Sequence, residues 1–394
     1  MQEHSNAVVF IGCGFPIGGV LFLAHMGVAI AEQSKRLNAD IYFAAIDQEG
    51  QVGFWEIARK GISPDRMIHA TSFDSLSEKI VALAHDYAKV LVHTAGGWGQ
   101  TLRIVKAKRH LPRAIKHRVT LIGTTHSYRH DSRLRILMSA IQNVMYRLYY
   151  RMVVFQCDYA AERFFGGQRL IREGRATVIP LGCEAFTEEC LKTPQGSLSD
   201  DLRVLLTDNA LFKFVYLAAF RPCKNHKWLI SALAPVLKSH PRCRLLLCGE
   251  GAARVVNRMK GFTRRLGVAH QVIFAGRVDR LSIPYVLANS NCAVVPTKAE
   301  TFGHNFLEPM FAGIPVLGTE VGVGREIVQD GGTGFRITLK DPQSLQRAAL
   351  TMLGDEELCS RMGRNARNVV ANLYGHEAVA KRHVALYQRL LEEV

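Results

Sequence analysis

Short apolar runs alternate with longer amphipathic stretches along most of this chain. In the first half the runs are Val8 to Gly12, Ile41 to Ile46, Val90 to Thr94, Val119 to Thr124, Val153 to Gln156 and Thr177 to Pro180. Each is short for a helix and rich in aliphatic residues, the signature of a strand buried on both faces. Strand and helix signals that alternate in this way predict a parallel, doubly wound α/β sheet. A second series starts at Phe214 to Ala219 and continues through Arg244 to Cys248, Val272 to Phe274, Cys292 to Val295 and Val316 to Gly318. The polar stretch Glu184 to Asp208, with Pro194 and Gly196, reads as a connection, and the chain after Asp341 reads as helical. The expected organisation is a first Rossmann-like domain over 1–185, a linker over 186–212, a second Rossmann-like domain over 213–372 and a final helix over 373–394.

A length of 394 residues agrees with two cores rather than one. Composition is that of a globular protein, 48% apolar and 21% charged. The nine cysteines form no C-x-x-C pair and their number is odd, which argues against a disulfide framework or a zinc site and fits a reducing cytoplasm. Ala7 to Ala31 holds no Asp, Glu, Lys or Arg and is long enough to span a bilayer. Gly12, Gly14, Pro16, Gly18 and Gly19 interrupt it, and only Glu3 among charged residues precedes it, so a strand, a glycine loop and a buried helix over Leu21 to Lys35 account for it better.

Charge is concentrated. From Thr101 to Arg151 there are twelve Lys or Arg against one acid, Asp131, which is 12 − 1 = +11 of the chain's +16. Much of it lies on helix-like segments, Leu102 to Arg118 and Ser132 to Met152, the second interleaving Leu134, Ile136, Leu137, Met138, Ile141, Val144, Met145, Leu148 and Tyr149 with Arg133, Arg135, Arg147 and Arg151. Two readings stay open: a surface for anionic lipid headgroups, or a solvated basic face with snorkelling arginines. Nucleic acid is not an expected partner, because no reader motif or aromatic stacking pattern accompanies the charge.

The densest chemistry is Glu300-Thr-Phe-Gly-His-Asn-Phe-Leu-Glu308, which follows the apolar run Asn291 to Pro296. A strand, a loop carrying Thr297 and Gly303, and a helix capped by Asn305 are expected here. The first-turn amides of such a helix attract an anion, and the two carboxylates flank it, each able to accept hydrogen bonds from vicinal hydroxyls. The plain alternative is a capping box between Asn305 and Glu308, with Glu300 a solvated loop charge.

This segment resembles the Glu-x7-Glu signature of glycosyltransferase family 4. The resemblance continues through Gly313-Ile-Pro-Val-Leu-Gly-Thr319, Gly322-Val-Gly-Arg-Glu326 and Gly332-Thr-Gly-Phe335. It implies the GT-B fold, two facing Rossmann-like domains with a last helix returning to the first. It also implies retaining transfer of a sugar from a UDP- or GDP-sugar donor to a hydroxyl of a saccharide or lipid-linked acceptor, in cell-envelope or extracellular polysaccharide synthesis. No metal or other cofactor is implied. The expected location is the cytoplasm, peripheral on the inner face of the membrane.

The resemblance extends to single residues. Lys224, in Ala219-Phe-Arg-Pro-Cys-Lys-Asn-His226, matches the family's Lys; the Arg expected five residues earlier is Ala219, and Arg221 is the nearest substitute. His126, in Gly123-Thr-Thr-His126, matches a strand-end His that contacts the transferred sugar. His126, Lys224 and Glu300 are thus the catalytic candidates. Gly18 and Gly19 of the first glycine loop, Arg221, the base-side turn Gly276, Arg277 and Val278, and Gly303, His304, Asn305, Phe306 and Glu308 are the donor-binding candidates. His93 is read as structural. A nucleotide-sugar epimerase, a nicotinamide-dependent oxidoreductase and a catalytically silent nucleotide-sugar binder are the rivals.

Overall fold

The computed structural model describes residues 5–12, 27–32, 37–46, 62–96, 98–125, 133–183 and 185–393. The chain forms two compact units, Met1–Gly182 with Tyr374–Val394, and Cys183–Leu373. The stretch 186–212 lies inside the second unit and carries two short helices, Glu188–Lys192 and Asp200–Thr207. It is tied to that unit by Lys213, whose ammonium donates to the carbonyls of Leu206 and Asp208 at 2.8 Å each.

Among the described residues, the first unit is built on seven strands: β1 Asn6–Gly12, β2 Ala39–Ile46, β3 Met67–Ala70, β4 Lys89–Gly96, β5 Val119–Thr125, β6 Tyr150–Phe155 and β7 Ala176–Val178. All pairings are parallel, in the order β3-β2-β1-β4-β5-β6-β7. Helices α1 Phe73–Asp86, α2 Trp98–His110 and α3 Arg133–Tyr149 pack in sequence beside one another over the sheet. Their inward residues Leu76, Ile80, Ile104, Met145 and Tyr146 form one core with Val9, Ile11, Val90, Val92, Leu121 and Val153. The continuous helix expected over Leu102 to Arg118 is two helices, because Pro112 lacks the N–H for a helix interior; a short turn, Arg113–Lys116, follows it.

The second unit holds six parallel strands: β8 Phe212–Leu217, β9 Cys243–Cys248, β10 Val272–Gly276, β11 Cys292–Val295, β12 Val316–Gly318 and β13 Gly334–Arg336. Their order is β10-β9-β8-β11-β12-β13. Chain direction across the sheet therefore reverses between β8 and β11, the place where open α/β sheets bind ligands beyond their carboxyl ends. The helices that matter below are α4 His226–Ser239, α5 Ala253–Arg265, α6 His304–Phe311, α7 Pro342–Gly354 and α8 Glu356–Tyr374.

The last helix, α9 His376–Glu392, belongs to the first unit. Its Tyr387 hydroxyl bonds His93 Nδ1 on β4, while His93 Nε2 meets Thr124 Oγ1 at 2.7 Å. Lys89 donates to the carbonyl of Leu391 at 2.5 Å and of Glu393 at 2.8 Å, and Arg151 pairs with Glu393. His93 is buried in this network and is structural. Two parallel doubly wound sheets, with a terminal helix returning to the first, define the GT-B architecture.

Candidate active site

Two loops leave the sheet of the second unit at the reversal point, one after β8 and one after β11. Both are short, polar and fastened to each other: Lys298 N–H donates to the Cys223 carbonyl at 2.9 Å. Below them the buried Tyr216 hydroxyl donates to the Lys224 carbonyl at 2.9 Å and meets Thr297 Oγ1 at 3.0 Å. Burial drives this phenol well above its ordinary range, so it stays protonated and keeps its donor role. Thr319, at the end of β12, donates from Oγ1 to the Thr297 carbonyl at 2.7 Å and supports the second loop from the other side. These contacts hold Lys224 and Glu300 together as an ion pair, both half-buried. Residues 76 apart in sequence are thus joined across the β8/β11 boundary.

α6 begins immediately beyond Glu300. Its N-cap is Gly303, not the expected Asn305, and Gly303 holds φ of 108°, a left-handed backbone that side-chain-bearing residues avoid. The ring of Phe306 also lies 2.9 Å from where a Cβ of residue 303 would sit. Asn305 is one residue inside the helix and buried, and neither atom of its amide has a hydrogen-bond partner among the described residues. No capping box joins it to Glu308. Glu308 sits half-buried one turn along, where desolvation pushes its carboxyl up to about 7 while the Arg280 guanidinium pulls the other way. His304 packs edge-on against Phe302 at 5.3 Å between ring centroids. The Val323 N–H donates to the Phe302 carbonyl at 2.7 Å, an approach open only because residue 322 is glycine.

The ends of β9 and β10 complete this edge. Gly249 N–H donates to the Gly276 carbonyl at 2.7 Å, and a Cβ on Gly249 would lie 2.0 Å from the Ala218 carbonyl oxygen. Gly276 is left-handed with φ of 68° and open space beside it. Arg277 is exposed and 3.8 Å from Glu250, and Val278 is half-buried. Phe220 stacks on the buried His226 at 4.1 Å and lies 6.0 Å from Phe274. Burial lowers the His226 imidazole to about 4, so it stacks as a neutral ring. Arg221 is exposed at the N-cap of the turn Pro222–Lys224.

The second unit therefore gathers Lys224, Arg221, Gly276, Arg277, Val278, Glu300, Gly303, His304, Asn305, Phe306 and Glu308 along one edge of its sheet. Gly18, Gly19 and His126 lie outside the described residues. Sequence reasoning missed Tyr216 and Thr319, whose hydroxyls support the loops. Their only signal was a polar atom at the carboxyl end of an apolar strand. It also missed the Phe220–His226 stack. Among the described residues, no group of three or more His, Cys, Asp or Glu could hold a metal ion.

Residues 200–369 match the family described as glycosyl transferases group 1. Over 179 residues, 45% of this chain and 46% of the relative, the chain is 28% identical to N-acetyl-alpha-D-glucosaminyl L-malate synthase of Bacillus anthracis. Over 205 residues, 50% of this chain and 44% of the relative, it is 29% identical to D-inositol 3-phosphate glycosyltransferase of Streptomyces avermitilis. The match thus spans less than half the length of either relative. Among solved structures, HepE of Anabaena in complex with UDP superposes with a TM-score of 0.76 at 20% identity, covering 97% of this chain and all of that one. Sucrose-phosphate synthase of Thermosynechococcus elongatus superposes at 0.71 and 20% identity, covering 99% and 100%. These likenesses concern fold.

Proposed function

We propose that the chain is a retaining glycosyltransferase that moves a hexosyl group from a UDP- or GDP-sugar to a hydroxyl of a saccharide or lipid-linked acceptor in envelope or extracellular polysaccharide synthesis. The observation that carries this reading is the Lys224–Glu300 pair at the β8/β11 reversal, one turn before Glu308. In it, the bond from the anomeric carbon to the diphosphate oxygen breaks and the electron pair leaves with the diphosphate. The Lys224 ammonium and the amides opening α6 stabilise that charge, the task of an oxyanion site. The acceptor oxygen bonds to the anomeric carbon on the face the diphosphate leaves, and its proton passes to a diphosphate oxygen. Glu300 accepts hydrogen bonds from sugar hydroxyls and Glu308 from the ribose. Asn305, whose amide has no partner among the described residues, donates to and accepts from the donor. The base lies over Gly276, Arg277 and Val278, with Arg221 beside the phosphates. His126, Gly18 and Gly19 are assigned to the sugar and to the donor phosphate or acceptor.

The test is a panel of UDP- and GDP-sugars, first by thermal shift and then by proton NMR of the product's anomeric signal. A ligand that binds only the folded chain raises its melting point. One donor is expected to do so and to give a product of unchanged anomeric configuration, with turnover persisting in chelator. Lys224→Ala is expected to lower kcat about 10²- to 10³-fold. Donor consumption without acceptor identifies an epimerase, binding without turnover a silent binder, and a melting point unmoved by every donor overturns the reading.

A further inference from the structure

Helix α3 carries an apolar stripe on its outer side as well as the core residues Met145 and Tyr146 on its inner side. Leu137, Ile141, Val144 and Leu148 follow one another at helical spacing along a single line, and they face solvent: Leu137 is 57% exposed, Val144 56% and Leu148 69%. The face against the sheet carries Ser139, Gln142 and Asn143 beside Met145 and Tyr146, with Gln142 only 3% exposed. Gln142 is accommodated there because its amide donates to Thr101 Oγ1 at 3.0 Å and to the Tyr146 hydroxyl at 2.7 Å. Packing inside the unit thus accounts for Gln142, Met145 and Tyr146 and leaves the apolar stripe without a role. Scattered exposed leucines are ordinary, but a continuous ridge of them marks a contact surface.

The charge around the ridge selects the partner. On the neighbouring α2, Leu102, Lys106 and Arg109 recur at the same helical spacing and all are exposed, so a further leucine and two cations share one face. Arg147 and Arg151 are already paired, with Glu173 and Glu393. Lys106 and Arg109 take part in no described ion pair and lie in the segment that holds +11 of the chain's +16. We propose that the outer surface of α2 and α3 docks on an anionic lipid bilayer, the leucine ridge entering the acyl boundary and Lys106 and Arg109 meeting headgroup phosphates. A second copy is the poorer partner, because two such faces would bring like charges together. No described helix is long and apolar enough to cross a membrane, so this is attachment at the interface.

The docking is independent of the nucleotide-sugar reading, and one experiment separates them. The full chain is floated with vesicles of phosphatidylcholine alone, or with about one third phosphatidylglycerol, at low and high salt. Wild type is expected to bind only the anionic vesicles and to lose most of that binding in high salt. Leu137→Gln/Leu148→Gln and Lys106→Glu/Arg109→Glu are each expected to weaken binding about tenfold or more. Circular dichroism and the melting shift caused by donor should stay as in wild type. Ile141→Gln/Val144→Gln repeats the test should the first pair fold poorly. Wild type that ignores anionic vesicles at low salt overturns the proposal, as do leucine variants that bind like wild type. A wild-type dimer that Leu148→Gln dissociates also overturns it, by giving the ridge to a second copy.

Discussion

Glu308 and Lys224 bring opposite charge problems to one sheet edge. Lys224 has its counter-charge in Glu300, whereas Glu308 has only the more remote Arg280 and is held near 7 by burial. A carboxyl raised in the folded state binds protons that the unfolded chain has already released, so between about 4.5 and 7 this group's contribution to stability falls as pH rises. In the proposed site, ribose hydroxyls would reverse that preference by donating to the ionised form. Donor affinity is therefore expected to increase from pH 6 to pH 8 and the effect to vanish in Glu308→Gln, as calorimetric titration across that range would show; equal slopes in both proteins would remove Glu308 from the donor site. Spacing marked Glu300 and Glu308 as candidates beside a plain capping-box alternative, and the family resemblance was needed to favour them and to single out Lys224. The cap was misread for a local reason. Asn305 is a good N-cap by side chain, but the chain must turn left-handed beside the Phe306 ring, and only Gly303 meets both demands.

Among elements, the strand ends are closed by backbone rather than by side chains. Gly249 lies against the Ala218 carbonyl and Gly322 against the Phe302 carbonyl, each too near for a methyl group. Gly249→Ala must separate β8 from β9 where their loops leave the sheet. The expected cost is about 1–3 kcal/mol of stability, with a loss of donor binding larger than the loss of melting temperature. Chemical denaturation and donor titration on one preparation would show both, and unaltered donor affinity would mean that the loop is not part of the site. Periodicity revealed most strands and the amphipathic character of α3, but periodicity is indifferent to which face turns inward. The inner face buries Met145 and Tyr146 and satisfies Gln142 through Thr101 and Tyr146, and nothing local to α3 announces Thr101 as an acceptor. The strands β3 and β13 escaped notice because Met67-Ile-His-Ala70 and Gly334-Phe-Arg336 are short edge strands without an apolar run.

For the molecule as a whole, alternation of strand and helix was enough to foresee two doubly wound sheets. It was not enough to see that 186–212 folds as part of the second unit, since short helices with acidic first turns look like linker by composition. The first unit carries its own acid sensitivity. Burial lowers His383 to about 3, so between about 6.5 and 3 the unfolded chain binds the extra proton and stability is lost as pH falls. The slope is at most about 1.4 kcal/mol per pH unit for one such group. Melting followed from pH 7 to pH 5 should decline less steeply in His383→Leu than in wild type, after allowance for a constant offset. Parallel curves would assign the acid response to another residue.

The division of the chain into Met1–Gly182 with Tyr374–Val394 on one side, and Cys183–Leu373 on the other, also sets an order of events during translation. The second unit is one uninterrupted stretch and has all its residues before the ribosome reaches Tyr374. The amino-terminal sheet, although made first, gains its contacts with Tyr387 and with the carbonyls that receive Lys89 only once α9 has been made. A stop codon or ribosomal stall shortly after Leu373 would thus release a chain whose late-made half is finished and whose early-made half is not, the reverse of the usual vectorial sequence.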